Sequence, residues 1–270
     1  MQNITTKIFK NPNLPYVELR FNQVIQYNPK LHIHDSLTLA ALKSGALSIF
    51  PHSSQLLRNG TVALINPYHA HYGKVVEIGN DGIYVLYLGM NWCEEVQKSL
   101  FGQQHKFYPL RGGVIDDLLL YRDFFILADT LFSEVSTATK EYAVKQFALQ
   151  LFCDFCDTDN STTETSFAYA VKIFLEQNFR KNITLEDLAT RFEISPFHLL
   201  RALKKEYGLP PHAYCLNLKV HYAKSLLDCH HSILDAALSA GFYDQSHFYH
   251  AFKRVFSISP GEYQSNFIQD

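Results

Sequence analysis

The feature that most constrains this chain is the run of helix-starting and helix-stopping residues in its last third. Thr184, with Asp187 three positions on, forms an N-cap with an acidic N3 for a helix carrying Leu185, Leu188, Ala189 and Phe192. Glu193-Ile194 supplies a turn. Ser195 then caps a second helix whose first position suits Pro196, and Gly208 and Pro210 stop it near Tyr207. A long helix is predicted from about Pro211 to Cys229, with Tyr214, Leu218, Ala223, Leu226 and Leu227 inward. The logic repeats beyond it. Ser232 caps a short helix burying Ile233, Ala236 and Ala237, Ala240-Gly-Phe242 turns, Asp244 caps the next helix, and Ser259-Pro260 starts a final one. With an amphipathic opening helix over 167–179, these are two helix-turn-helix units in tandem.

The faces of the second helix in each unit carry the chemistry. In the first, Leu199 and Leu203 face inward, while Phe197, His198, Leu200, Arg201 and Lys204 come round to the open side. In the second, Phe248 and Phe252 pack, and Gln245, Ser246, His247, Tyr249 and His250 face out. The helix turn after Ser195 offers backbone N–H groups to a phosphate, and Arg201 can donate two hydrogen bonds to a guanine edge. Such a pair of recognition helices reads double-stranded DNA. The alternative is a mere packing bundle, and for Phe197 alone a partly buried aromatic is an equal alternative. Net charge does not select DNA: the chain totals −2, and residues 161–270 hold 11 Lys and Arg against 11 Asp and Glu. Placement of charge must do what its total does not.

Ahead of this region the pattern differs. Short period-2 runs such as Tyr16-Val-Glu-Leu-Arg-Phe21 and Ile83-Tyr-Val-Leu-Tyr-Leu88 predict strands. Turn signals at Asn28-Pro29, Ser44-Gly45, Arg58-Asn-Gly60, Asn66-Pro67 and Gly79-Asn-Asp-Gly82 separate them, as in a small antiparallel β-barrel. After Arg111-Gly-Gly113 the period becomes 3.6 residues, which predicts an antiparallel helical pair able to pack on the barrel or on a twin protomer. The polar stretch Asp157 to Glu164 has linker composition. The fold class is therefore α+β in two domains: a barrel over 1–110 with a helical pair over 111–157, a linker at 158–165, and an all-α domain over 166–270.

At 270 residues and 47% hydrophobic content the chain can bury a core in each domain. It lacks an apolar run long enough to cross a bilayer, and its first residues lack a secretory pattern, so cytoplasmic location without a membrane partner is expected. Five cysteines, at 93, 153, 156, 215 and 229, suggest reduced thiols, and the Cys153-x-x-Cys156 pair reads as core packing.

The stretch 166–267 resembles the C-terminal domain of AraC/XylS-type transcription regulators. The residues that carry the likeness are Leu185-Glu-Asp-Leu-Ala189, Ser195-Pro196, Lys204-Lys205, Ala223-Lys-Ser-Leu-Leu227, Ala240-Gly-Phe242, Asp244-Gln-Ser246, Phe252-Lys253 and Ser259-Pro-Gly-Glu-Tyr263. The resemblance implies two recognition helices in successive major-groove segments. It assigns base contacts to Phe197, Leu200 and Arg201 in the first, and to Gln245, Ser246, Tyr249 and His250 in the second. His250 departs from the family's frequent arginine, and Ala236 and Ser257 depart from its usual isoleucine and glycine, which implies a looser second unit.

The N-terminal half resembles the cupin-type effector domain that commonly precedes such a domain, with 31–45 and 60–71 matching its two motifs. His32, His34 and His71 can face a barrel interior, where Arg20, Tyr84, Tyr87 and Trp92 are further candidates for holding a small polar effector, anions included. Three imidazoles could bind zinc, iron or nickel. The glutamate that normally follows the H-x-H of a cupin metal site is missing from Asp35-Ser-Leu-Thr-Leu-Ala40, so neither a metal nor another cofactor is expected. The expectation is an effector-responsive activator, not an enzyme, forming a homodimer and contacting RNA polymerase. Its rivals are a metal-dependent cupin enzyme and a nonspecific chromosome-organising protein.

Overall fold

The computed structural model describes residues 6–23, 31–50, 55–102, 107–157, 167–256, 258–265 and 267–268. The predicted turn at Asn28-Pro29, the linker 158–165 and Ser257 lie outside them. The N-terminal half is built from β1 (Thr6–Lys10), β2 (Val17–Asn22), β3 (Ser36–Leu42), β4 (Ala46–Phe50), β5 (Leu56–Arg58), β6 (Thr61–Ile65), β7 (Tyr72–Glu77), β8 (Ile83–Gly89), α1 (Met90–Phe101), β9 (Gly113–Asp116), α2 (Leu118–Phe132) and α3 (Thr137–Phe155). The C-terminal half is α4 (Phe167–Asn178), α5 (Leu185–Arg191), α6 (Pro196–Tyr207), α7 (Pro211–Asp228), α8 (Ile233–Ser239), α9 (Gln245–Phe256), α10 (Pro260–Ser265) and a short β10 (Phe267–Ile268).

The strands do not close into the expected barrel. They form a seven-stranded sheet, β10-β1-β2-β8-β3-β6-β9, and a separate three-stranded sheet, β5-β4-β7. Register decides what each face of the large sheet does, because residues paired across strands point the same way. Leu19, Leu86, Leu39 and Leu64 align on one face and bury against Phe124, Leu127, Val144 and Leu151 of α2 and α3. Arg20, Val85, Ala40 and Ala63 align on the other. Part of that second face is covered by Leu47, Ile49 and Leu57 of the small sheet, and the part around β1 and β2 by the C-terminal helices.

Two elements depart from expectation. Helix α1 follows β8 directly, with Gly89 making no side-chain cap, so no start signal marks it. Strand β9 pairs with β6 where helical periodicity was expected, because the helix begins only at the cap Asp117, whose carboxylate accepts from the N–H groups of Leu119 and Leu120. Cys153 is exposed on α3 and not in the core, whereas Cys156 is half-buried, its Sγ 3.2 Å from the Gln97 amide.

The C-terminal half follows its punctuation. The capping box between Thr184 and Asp187 is complete, Ser195 accepts from the His198 N–H at 3.2 Å, Ser232 from the Asp235 N–H at 3.0 Å, and Asp244 from the His247 N–H at 2.7 Å. Helix α7 joins the two units by contributing Tyr214 to the core of the first and Val220, Ala223 and Leu227 to that of the second. Ala236, small where a looser unit was expected, is fully buried there. Gly241, at φ +82°, allows the α8–α9 turn, where a Cβ would stand 2.6 Å from the Arg180 carbonyl oxygen.

Candidate functional site

Helices α6 and α9 are the second helices of the two helix-turn-helix units, and each presents a polar face on a buried spine. Leu199 and Leu203 hold α6, and Phe248, Ala251 and Phe252 hold α9. Ser195, His198, Arg201 and Lys204 are exposed, as are Gln245, Ser246, His247, Tyr249 and His250. Phe197 is 68% exposed, which removes the buried reading of its ring. The Arg201 guanidinium sits 5.5 Å from that ring, a position from which the aromatic can steady the arginine. Leu200 is half-buried and, with His247, lines the groove between the two units. Tyr243, just before α9, is 81% exposed and was missed, since its place in a turn follows no helical period.

The second concentration of polar groups lies on the sheet face that meets the helical half, not inside a barrel. Here a cleft of about 670 Å³ is bordered by Glu18, Arg20, His34, Tyr87 and Trp92 from one half and by His221, Lys224 and Asp228 of α7 from the other. Glu18 is the hub. Its carboxylate takes Arg20 at 2.5 Å and Lys224 at 2.7 Å, with Lys10 at 3.6 Å, and accepts from the Tyr263 hydroxyl at 3.2 Å. Tyr263 also donates to Asp228 at 2.7 Å, and Lys10 pairs with Asp228. Burial alone would push the Glu18 carboxyl up, but Arg20, Lys224 and Lys10 together hold it well below the usual carboxylate range. Burial works against the charge of Lys224, but Glu18, Tyr263 and Asp228 together raise it well above the ordinary lysine value.

Five of the seven predicted effector residues are brought together: Arg20, His32, His34, His71 and Tyr87. Trp92 stands at the rim, stacked on Tyr16 with ring centroids 4.5 Å apart. Tyr84 does not face this site. It pairs with Phe21 and Ala41, so its ring lies on the opposite side of the sheet against Phe125, 5.2 Å away, because a one-residue step along β8 reverses the face.

The histidines are held by main-chain bonds between two loops. The His32 and His71 N–H groups each donate to the other's carbonyl, at 3.0 and 2.8 Å, and the Tyr68 N–H donates to the His34 carbonyl at 2.7 Å. His32 Nε2 lies 3.2 Å from His34 Nε2, and the His71 ring packs 4.5 Å from that of His32. All three rings are buried. Desolvation lowers His34 well below the ordinary histidine value and His71 to about 4. Sequence reasoning missed the groups that α7 and α10 bring to this place, Asn217, His221, Lys224, Asp228 and Tyr263, since all read as positions within a self-contained helical domain.

The profile of a helix-turn-helix domain family matches residues 188–266. Over 253 residues the chain is 26% identical to YbfI of Bacillus subtilis (strain 168), an uncharacterized HTH-type transcriptional regulator, covering 92% of this chain and 90% of that one. It is 32% identical over 112 residues to the HTH-type transcriptional activator RhaS of Yersinia pestis (strain Pestoides F), covering 41% of each. Among solved structures, ToxT from Vibrio cholerae strain SCE256, crystallised with an unsaturated fatty acid, superposes with a TM-score of 0.65 at 15% identity over 98% of this chain and 95% of that one. ToxT thus shares the two-part fold.

Proposed function

Because this chain belongs to the AraC/XylS family of transcription regulators, we propose that it is a sequence-specific DNA-binding activator whose DNA binding responds to a small polar effector. The observation that carries the reading is the pair of capped helices α6 and α9, each exposing a row of side chains able to reach base edges. Arg201 is the base-reading residue of the first helix, assisted by Phe197, Leu200 and His198, while Ser195 and Lys204 meet phosphates. Gln245, Ser246, His247, Tyr249 and His250 serve the second.

The effector's place in this reading is the cleft between the halves. Arg20, Lys224 and Lys10 already neutralise Glu18 and Asp228. An anionic effector there competes with those carboxylates for the same cations, and so loosens or re-seats α7. An effector acts only through unequal affinity for the two arrangements. The fatty acid of ToxT is an acid of this charge type, although the identity supports only a shared fold.

The helical pair supplies the dimer contact in this reading, supported by exposed Leu118, Leu119, Ile126 and Tyr142 on α2 and α3. Residues 1–110 sense, 111–157 dimerise, 158–165 link and 166–270 bind the promoter and meet RNA polymerase, in the cytoplasm. Among the described residues no helix is long and apolar enough to cross a membrane.

The test is selection of genomic DNA fragments by the full chain at physiological salt, beside the Arg201→Ala variant. An enriched motif that the variant loses or relaxes is expected. The reading fails if no motif emerges with or without carboxylate-bearing metabolites, or if wild type and variant select alike.

A further inference from the structure

We propose that His32, His34 and His71 bind one divalent transition-metal ion of the zinc type, and that this ion sets how the first helix-turn-helix unit is held against the sheet. Each ring offers a ligand nitrogen, and the three nitrogens all lie within 4.8 Å of one another in a buried pocket. Nitrogens bound about 2.0–2.1 Å from a tetrahedral zinc stand roughly 3.3–3.4 Å apart. His32 Nε2 and His34 Nε2, 3.2 Å apart, already span such an edge.

The surroundings suit ligation. His71 Nδ1 lies 3.0 Å from the His69 carbonyl and donates to it, which leaves Nε2 as a lone pair and fixes the ring, as a supporting carbonyl does for metal-bound histidine. Arg20, whose charge bears on His34, is paired with Glu18. Three imidazoles are enough to hold zinc, cobalt or nickel with a fourth position left to water. The missing glutamate therefore does not bar coordination.

Position gives the ion its leverage. Ile33, between two of the ligands, is fixed on both backbone atoms by α7: its N–H donates to Asn217 Oδ1 at 3.1 Å, and its carbonyl accepts from His221 Nε2 at 2.8 Å. Its side chain is buried in the core of the first unit with Leu199 and Leu203. Ala70, beside the third ligand, meets the end of α6, where a Cβ on Gly208 would stand 2.5 Å from the Ala70 Cβ. Drawing the three rings onto one ion shifts residues 33 and 70 together, and both bear on the unit that carries α6.

The test uses the full chain, stripped with a chelator and titrated with Zn²⁺ and Co²⁺. About one ion per chain is expected for wild type and for the control His69→Gln, whose ring is exposed. In His71→Gln, with an unchanged melting temperature in the stripped state, at least a tenfold loss of affinity is expected. Should that variant not fold, NMR of the wild-type histidine rings decides: signals of His32, His34 and His71 moving with Zn²⁺ support the site, and unmoved signals overturn it. No stoichiometric ion in wild type, or retention by folded His71→Gln, also overturns it. The regulatory half rests on DNA binding and is read separately, as a threefold or greater change in affinity for a selected fragment on adding Zn²⁺, absent in His71→Gln. An ion bound with no such change overturns that half alone.

Discussion

Asn217 Oδ1 accepts the backbone N–H of Ile33 at 3.1 Å, so a side chain of the helical half completes the main-chain bonding of the sheet half. Its own amide donates to the Ala213 carbonyl at 2.7 Å, which fixes the orientation of the acceptor. Asn217→Ala leaves a buried N–H unpaired, at a cost of about 1–3 kcal/mol. Urea denaturation should show a lower midpoint, and an unchanged midpoint would remove Asn217 from the account of the seam.

Glu18 sets the response to acid. Its folded carboxyl lies well below its unfolded value of about 4.3, so its contribution is complete above that value and is lost as pH falls toward the folded one. Arg20, Lys10, Lys224, Asp228, Tyr87 and Tyr263 face it from the packed elements. Stability should therefore fall with pH below roughly pH 5, and Glu18→Gln should flatten that part of the curve. At pH 7 the same variant leaves Arg20 buried without its carboxylate and Lys224 with Asp228 alone, at a cost of about 3–5 kcal/mol. Denaturation midpoints measured across pH 3–7 check both.

Arg201→Ala should weaken binding to a cognate site by about 1–3 kcal/mol and relax one base position, whereas Lys204→Ala should weaken all sequences alike and lower the salt slope by about 1. Fluorescence anisotropy with a selected fragment and single-base variants, at several salt concentrations, separates the two roles.

Gly208 ends α6 at φ +74°, against Ala70. Gly208→Ala meets both a left-handed backbone and the Ala70 methyl, so a lower melting temperature is expected, with a loss of about 1–3 kcal/mol. Adding Ala70→Gly removes the methyl contact and should restore part of the loss, the remainder being the backbone strain. A double variant no more stable than Gly208→Ala would show that the contact carries none of it.

The helical half was legible almost residue by residue because its instructions are local. A cap such as Thr184, Ser195, Ser232 or Asp244 bonds to an N–H three residues on, and a 3.6-residue period places Leu199 and Phe248 inward within one or two turns of their own helix. The same nearness makes the outward row from Phe197 to Lys204 readable. Elements without such a signal were not: α1 starts uncapped, and β9 is a strand through pairing with β6, some fifty residues away.

By itself, then, the sequence determined the two halves, the tandem units and the faces of their recognition helices, all interactions between residues a few positions apart. Only the tertiary structure decided that the strands form two sheets and not a closed barrel, and that Tyr84 turns away from Arg20 and Tyr87. It alone brings Lys224 to Glu18 and His221 to Ile33. Those contacts join groups about two hundred positions apart, and a buried charge or backbone group takes whatever partner the packing of the two halves delivers, which no local pattern encodes.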